Sequence, residues 1–204
     1  CATAPGERDP RDPWEPMNRT VFKFNETADK AVVKPVAQAY RFVTPRFVRV
    51  GVTNFFGNIG DVSVFINDIF QGKGQKAVAG FGRVVINSTF GLGGLIDVAG
   101  AAGNPKQNED FGQTLGFYGV GPGPFWTLPV LGPSTVRDAG GRVVDTFLTP
   151  TTYLISNGNV SLGLSTLEGV NLRSNLLDTE KVLDEAGAVD RYSFLRDAYL
   201  QRRE

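Results

Sequence analysis

Apolar residues recur after Pro45 with a steady helical beat. Val48, Val52, Phe55, Ile59, Val62, Ile66 and Ile69 are spaced 4, 3, 4, 3, 4, 3, which sets them along one side of a helix. The rest of that surface mixes Arg46, Arg49, Thr53, Asn54, Asp61 and Asp68 with Phe56, Phe65 and Phe70. The apolar arc is therefore wider than a core-facing stripe requires. Two readings of that width stand side by side here: a helix buried on most sides, or one lying against lipid. Gly51, Gly57 and Gly60 fall within the segment, and the expectation is that they bend or break it.

Upstream, Asp12-Pro13-Trp14-Glu15 has the form of a helix start, with a cap, a first-position proline and a glutamate at the third position. Met17, Val21, Phe24, Ala28 and Ala31 form its apolar face, and the helix is expected to end by Lys34, before Pro35. Residues 2–13 are charged and proline-rich; they read as a tether of about 40 Å when extended. Downstream, residues 75–90 fit helix or strand, and Val78, Phe81 and Val85 favour helix. Leu95–Ala102 and Asp110–Phe117 read as short helices. Residues 119–133 form a Gly/Pro-rich apolar loop around Phe125, Trp126 and Leu128. Such proline density excludes a helix or a central strand, so these apolar residues either tuck under the fold or dip into lipid, where tryptophan favours the interface. Residues 133–148 read as a helix started by Ser134, Thr135 and Asp138, and residues 150–175 carry no clear pattern. The pattern is helical again from Leu176, and a last segment bears Tyr192, Leu195 and Tyr199 between Asp190 and Arg202-Arg203, charges that suit a helix dipole. The pattern predicts an all-α fold: a tether over residues 1–13 and one helical domain over residues 14–204.

Composition narrows the function. Lys+Arg and Asp+Glu are both 21 among 204 residues, so the basic surplus of a nucleic-acid binder is missing. No run approaches the roughly 18 apolar residues of a spanning helix. Histidine is absent, which removes the usual general base, the usual metal ligand and every Ser-His or Cys-His pair. No metal site and no catalytic residue is singled out. Asp110-Phe111-Gly112 and Gly119-x-Gly121 match kinase and dinucleotide motifs by spelling only, without the flanking parts those sites need. Glycine, at 25 residues, and phenylalanine, at 15, are abundant; the first lets helices approach closely where hydrophobic drive is weak.

The chain has one cysteine, Cys1, followed by Ala2. This is what remains when a lipoprotein signal peptide is removed, leaving a diacylglyceryl thioether on sulfur and an acylated amine. Each buried methylene adds roughly 0.8 kcal/mol, and more than one acyl chain makes such an anchor stable. The other reading is an unmodified thiol. Ala2, which is not the aspartate that commonly retains such proteins at the inner membrane, points to the outer membrane.

Several strings occur together in order: Asp12-Pro13-Trp14-Glu15-Pro16-Met17-Asn18-Arg19 with Phe22-x-Phe24-Asn25; Asn54-Phe55-Phe56-Gly57-Asn58; Arg83 with Ile86-Asn87-Ser88-Thr89-x-Gly91; Gly94-Leu95-x-Asp97-Val98-Ala99. Glu109-Asp110-Phe111-Gly112-Gln113-Thr114-Leu115-Gly116, Gly123-Pro124-Phe125 with Leu128-Pro129, Leu131-Gly132-Pro133-Ser134-Thr135-x-Arg137-Asp138 and Tyr192 to Arg203 follow. From Asp12 to Arg203 the chain resembles the MlaA (VacJ) family of outer-membrane lipoproteins, departing in Pro16 and in a short C-terminal tail. The resemblance implies a ring-shaped arrangement of amphipathic helices around a central amphipathic channel, lipid-anchored in the periplasmic leaflet of the outer membrane. It implies removal of mislocalised phospholipid from the outer leaflet, transfer to a soluble periplasmic carrier, MlaC, and work beside a trimeric porin. No enzyme chemistry and no cofactor are implied; phospholipid is the transported ligand. Within that frame Asn54, Phe55, Phe56, Gly57, Asn58 and Asp61 are expected along the lipid path. Gly119, Gly121, Gly123, Phe125, Trp126, Leu128 and Pro129 are expected to act as a gate or lip, outside the core. The alternatives are a lipid-anchored binding or scaffold protein without transport, and a carboxylate hydrolase centred on Glu109-Asp110.

Overall fold

Polar side chains fill much of the interior of this protein, and many apolar ones face outward. The structure, a computed structural model, describes residues 9–185 and 190–203, the side chains of 181–185 excepted; Cys1 lies outside the described residues. The helices are α1 (Glu15–Ala28), α2 (Lys34–Val43), α3 (Arg46–Phe70), α4 (Gly74–Thr89), α5 (Val98–Ala101), α6 (Phe111–Phe117), α7 (Val136–Leu148), α8 (Thr151–Leu154), α9 (Gly158–Glu185) and α10 (Arg191–Arg203). One antiparallel hairpin, β1 (Phe125–Leu128) and β2 (Gly132–Thr135), interrupts them, with Phe125 opposite Thr135 and Leu128 opposite Gly132. Among the described residues no helix is long and apolar enough to cross a membrane.

Proline does not end the first helix. A π-helical turn over Asp29–Val33 joins α1 to α2, with Lys34 N–H bonded to Asp29 O and Pro35 in the first turn of α2. The wider turn relieves the clash a proline ring makes with the preceding turn. Nor do the glycines break α3, which runs unbroken for 25 residues. They are places of close approach: a Cβ on Gly51 would lie 3.6 Å from Leu95 O, and one on Gly57 would lie 3.0 Å from Lys106 Nζ.

The buried face of α3 is Asn58, Asp61, Ser63, Val64, Asn67 and Asp68, whereas none of the stripe from Val48 to Ile69 is buried. The same inversion holds in α4. Ala77, Gly80, Arg83 and Asn87 point inward, while Val78 is 74% and Phe81 55% exposed. Gly80 lets the two helices meet, since its Cβ would stand 3.0 Å from Phe65 Cβ. Burying amides and carboxylates is tolerable only if they are bonded, and many are. Asn67 Nδ2 donates to Asp145 Oδ1 at 2.9 Å, Thr114 Oγ1 to Asn67 Oδ1 at 2.7 Å, and Phe111 N–H to Asp145 Oδ2 at 3.0 Å. This set joins α3, α6 and α7.

A second, apolar core gathers Phe125, Tyr192, Tyr199 and Leu200, with Phe22 against it. Phe125 therefore belongs to the core, contrary to the gate or lip expected of the Gly/Pro loop. Two asparagines two turns apart on α1 hold the hairpin backbone. Asn18 donates to Phe125 O at 3.0 Å and accepts from Thr127 N–H at 2.9 Å. Asn25 donates to Leu128 O at 2.9 Å and accepts from Val130 N–H at 2.8 Å. Each amide side chain offers a donor and an acceptor at the spacing of a strand, so α1 serves the hairpin as a third edge. Gly119, Gly121, Gly123, Trp126 and Pro129 are exposed and Leu128 is half-buried.

Residues 9–13, expected within the tether, are held to the fold at Asp9, Arg11 and Asp12. Asp9 and Asp12 are buried, and Phe125 N–H donates to Arg11 O at 2.7 Å. Asp12 does not cap α1, which starts at Glu15 with Trp14 as its uncapped N-cap residue and tolerates Pro16 in its first turn. Instead Asp12 accepts from Asn18 Nδ2 and the Tyr192 hydroxyl. The weakly patterned segment 150–175 holds α8 and more than half of α9. Ion pairs fix α9 to the first helices: Arg173 with Asp29 at 2.7 Å and Lys34 with Glu180 at 3.1 Å.

Candidate functional site

Helix packing leaves a cavity of about 340 Å³ between α3, α4, the start of α5 and α9. Arg83, on the inner face of α4, organises its floor. Its guanidinium is almost fully buried and donates from Nε to Asp61 at 3.1 Å, from Nη2 to Asp97 at 3.0 Å, and from Nη1 to Asn104 O. Lys106 Nζ binds the other oxygen of Asp61 at 2.8 Å and the Gly57 carbonyl at 2.7 Å. The absent side chain of Gly57 makes room for that ammonium. Asp97 caps α5 through Gly100 N–H and accepts from Asn87. Burial works against its ionisation, but those donors and Arg83 outweigh it and hold its carboxyl below the usual range.

The opposite wall is amide-rich. Asn171 Nδ2 donates to Thr53 Oγ1 at 2.7 Å, Asn175 Nδ2 to the same oxygen at 3.1 Å, and the Tyr40 hydroxyl to Asn171 Oδ1 at 3.1 Å. Phe56 and Leu172 supply apolar wall, and Gly60 and Glu168 complete the lining. The cavity thus carries cations, carboxylates and amides beside carbon surface, the chemistry that solvates a charged group with an apolar tail.

Of the residues expected along a lipid path, Asn54, Phe56 and Gly57 line the cavity. Asp61 acts one step back, holding Arg83 and Lys106. Phe55 is not on the wall; it meets Phe56 edge-on with centroids 5.4 Å apart. Asn58 is buried against α4 and bonded to Ser88 Oγ at 3.0 Å. Hairpin residues do not line the cavity. Sequence reading did not assign Arg83, Asn87, Asp97, Lys106, Asn171 or Asn175 to the path. A signal existed in the i, i+4 pairs Arg83/Asn87 and Asn171/Asn175, which put like polar groups on one helix face.

Glu109 and Asp110 are engaged elsewhere. Glu109 takes Lys73 at 2.9 Å, Lys76 at 3.2 Å and Gln71 at 3.2 Å. Burial opposes ionisation, yet these donors keep its carboxyl low, which does not suit a general acid at neutral pH. Asp110 caps α6 and pairs with Arg203.

Asp68 is fully buried, and neither carboxylate oxygen has a hydrogen-bond partner. Burial first, and the Glu109 charge second, push its pKa up against the pull of Lys76 and Lys73. A raised carboxyl pKa stabilises the fold below its unfolded value, and that contribution is lost as pH rises through the folded value. Asp68→Asn should therefore be at least as stable as the parent at neutral pH. Its advantage should shrink as pH falls from neutral toward the ordinary carboxylate range, read as thermal midpoints of the detergent-purified protein. A difference constant across that range would show that Asp68 does not change its protonation there.

Relatives share this chain from end to end. The sequence profile of the MlaA lipoprotein family matches residues 10–204. The intermembrane phospholipid transport system lipoprotein MlaA of Escherichia coli K12 is 40% identical over 210 residues, covering 100% of this chain and 82% of the relative. Its counterpart in Haemophilus influenzae is 33% identical over 193 residues, covering 93% and 76%. A chain solved in work on the structural basis for maintenance of bacterial outer membrane lipid asymmetry superposes with a TM-score of 0.83 at 38% identity, covering 96% of this chain and 98% of that one. With the profile spanning nearly its whole length and relatives this close, the chain belongs to the MlaA lipoprotein family.

Proposed function

We propose that this protein moves phospholipid across one membrane leaflet, taking mislocalised lipid from the outer leaflet of the outer membrane and releasing it toward the periplasm. The observation that carries the reading is the inversion of polarity. A cavity of ions and amides lies among helices whose outer faces expose large apolar residues such as Phe81, Phe117, Phe147 and Leu162. Exposed apolar surface on this scale marks contact with lipid or with another protein. Moving a lipid headgroup through hydrocarbon unaided is costly. Arg83, Lys106, Asp61 and Asp97 with the amides of α9 replace its water, and opposite charges in balance let it leave again. The cavity has the size of a small-molecule site; it holds a headgroup, and the acyl chains trail along Phe56, Leu172 and the apolar rim.

The finer assignments follow from the same reading. The helices surround the lipid path as a ring seated in the periplasmic leaflet, and Cys1 carries the acyl anchor. A trimeric porin covers part of the apolar outer face, and a soluble carrier of the MlaC type accepts the lipid. No chemical step is part of this mechanism. Labelled phospholipid in membranes containing the protein, offered to the carrier, tests it: carrier-bound intact lipid is expected. Lipid bound but never released would instead make the protein a scaffold, and water-soluble fragments would make it a hydrolase. Mass spectrometry of the native N-terminal peptide should show acyl and diacylglyceryl mass on Cys1; an unmodified cysteine would remove the anchor.

A further inference from the structure

A second cavity, of about 460 Å³, shares Thr53, Asn54 and Asn175 with the first, and Arg41, Arg46 and Arg49 stand around it. We propose that these three arginines form the entry site for a glycerophospholipid, gripping its phosphodiester before the headgroup reaches the Arg83 cavity. The inference rests on the lipid-transport reading and adds the group recognised and the residues that recognise it.

The local sequence builds the cluster. Pro45 has extended backbone and turns the chain sharply between α2 and α3, with Thr44 extended before it. Arg41 in the last turn of α2 is thereby set beside Arg46 and Arg49 in the first turn of α3. One carboxylate, Asp178, lies on the same wall and is bonded to Arg41 at 2.8 Å. Among the described residues Arg46 and Arg49 have no ion-pair partner, whereas Arg19, Arg83, Arg173 and Arg196 all do. Arg49 Nε is buried and lacks a hydrogen-bond partner, an unfilled donor of the kind an anion satisfies. The uncapped first turn of the 25-residue α3 adds its N–H groups to the same positive end. In a chain of zero formal net charge, this is a local surplus of cations at the edge of a cavity.

Exposed carbon next to the arginines in sequence states which phosphate. Phe42 is 90%, Val43 72% and Phe47 78% exposed, flanking the arginines in sequence on both sides of Pro45. A free phosphate ion has no use for that carbon surface; a lipid lays its acyl chains on it while the guanidinium forks take two phosphate oxygens. The arginines select by charge geometry, and Thr53, Asn54 and Asn175, shared by both cavities, pass the headgroup inward.

Native mass spectrometry of the detergent-purified full chain with phosphatidylglycerol, phosphatidylethanolamine and diacylglycerol tests the site. Both phospholipids should be retained in preference to diacylglycerol. Arg46→Gln with Arg49→Gln should weaken phospholipid binding about tenfold or more and leave diacylglycerol unchanged. Arg46→Lys with Arg49→Lys, which keeps the charge and loses the fork, should fall between and guards against misfolding of the Gln variant. Phe42→Ser with Phe47→Ser should weaken phospholipid and leave inorganic phosphate unaffected. Equal retention of diacylglycerol and phospholipid by the parent overturns the proposal. So does full displacement by inorganic phosphate with no effect of the Phe variants, which would describe an anion site without lipid. Normal transfer to the carrier by the Gln variant removes the entry site and leaves the conduit standing. Absence of transfer by the parent removes the conduit, while phosphate-dependent binding still reads the arginines.

Discussion

Arg83→Met should lower the unfolding free energy of the detergent-purified protein by roughly 3–5 kcal/mol, the cost of removing one partner from a buried ion pair. Arg83 and Asp61 are both nearly inaccessible; in the same step Asn104 O would lose its Arg83 donor and Asp97 one of its three. Lys106 would still hold one oxygen of Asp61 at 2.8 Å, so the remaining charge is not wholly abandoned. The loss should nevertheless exceed that of an exposed ion pair, which water and salt screen. A double variant, Arg83→Met with Asp61→Asn, should recover part of the loss, because it removes the stranded carboxylate together with its partner. Denaturant titration of the parent, Arg83→Met, Asp61→Asn and the double variant measures both quantities. A loss below about 1 kcal/mol for Arg83→Met would mean that water solvates the pair well, as at a surface.

Much of the helix content was legible because it depends on local periodicity. The beat from Val48 to Ile69 and the Asp190 start of the last helix are present as expected. The orientation of those helices was not legible. Periodicity states which residues are alike, and says nothing of which side they face. In water the apolar side goes in; here Val78 and Phe81 go out while Arg83 and Asn87 go in. The glycines of α3 misled for a related reason. A glycine in sequence signals flexibility or close approach alike, and only the partner, Lys106 for Gly57, decides which. Pro35 misled because a π turn over Asp29–Val33 carries the helix past it, and no periodic pattern in the sequence marks that turn. The hairpin was hidden because Asn18 and Asn25, more than a hundred residues away, bond its backbone. The candidate site was half legible. Asn54, Phe56 and Gly57 fall on one short string, but their opposite wall comes from the Asn/Ser/Gly-rich segment in which no pattern could be read.

Gly60→Phe should stop lipid movement with little change in stability, reducing transfer to the carrier by at least about tenfold, or roughly 1.4 kcal/mol of added barrier. Gly60 is interior to α3 and lines the cavity, and a Cβ built on it meets nothing within 4 Å. The first atom of a side chain there enters empty space and the cavity lies beside it, so overpacking of the helix contact is not the expected effect. The ring would occupy volume beside Phe56 and Leu172 that a headgroup has to cross. Gly60→Ala separates filling from backbone effects. It should stabilise α3 by about 0.5–1 kcal/mol through the poor helix propensity of glycine, and leave transfer near the parental rate because a methyl group fills little of the path. Gly57→Ala should behave differently. Its Cβ would stand 3.0 Å from Lys106 Nζ and would displace the ammonium from the Gly57 carbonyl, altering the electrostatics of the path instead of its width. Transfer assays on the three variants, each with its thermal midpoint measured, distinguish these effects. Parental transfer by a folded Gly60→Phe protein would place the lipid path somewhere other than the cavity between α3 and α9.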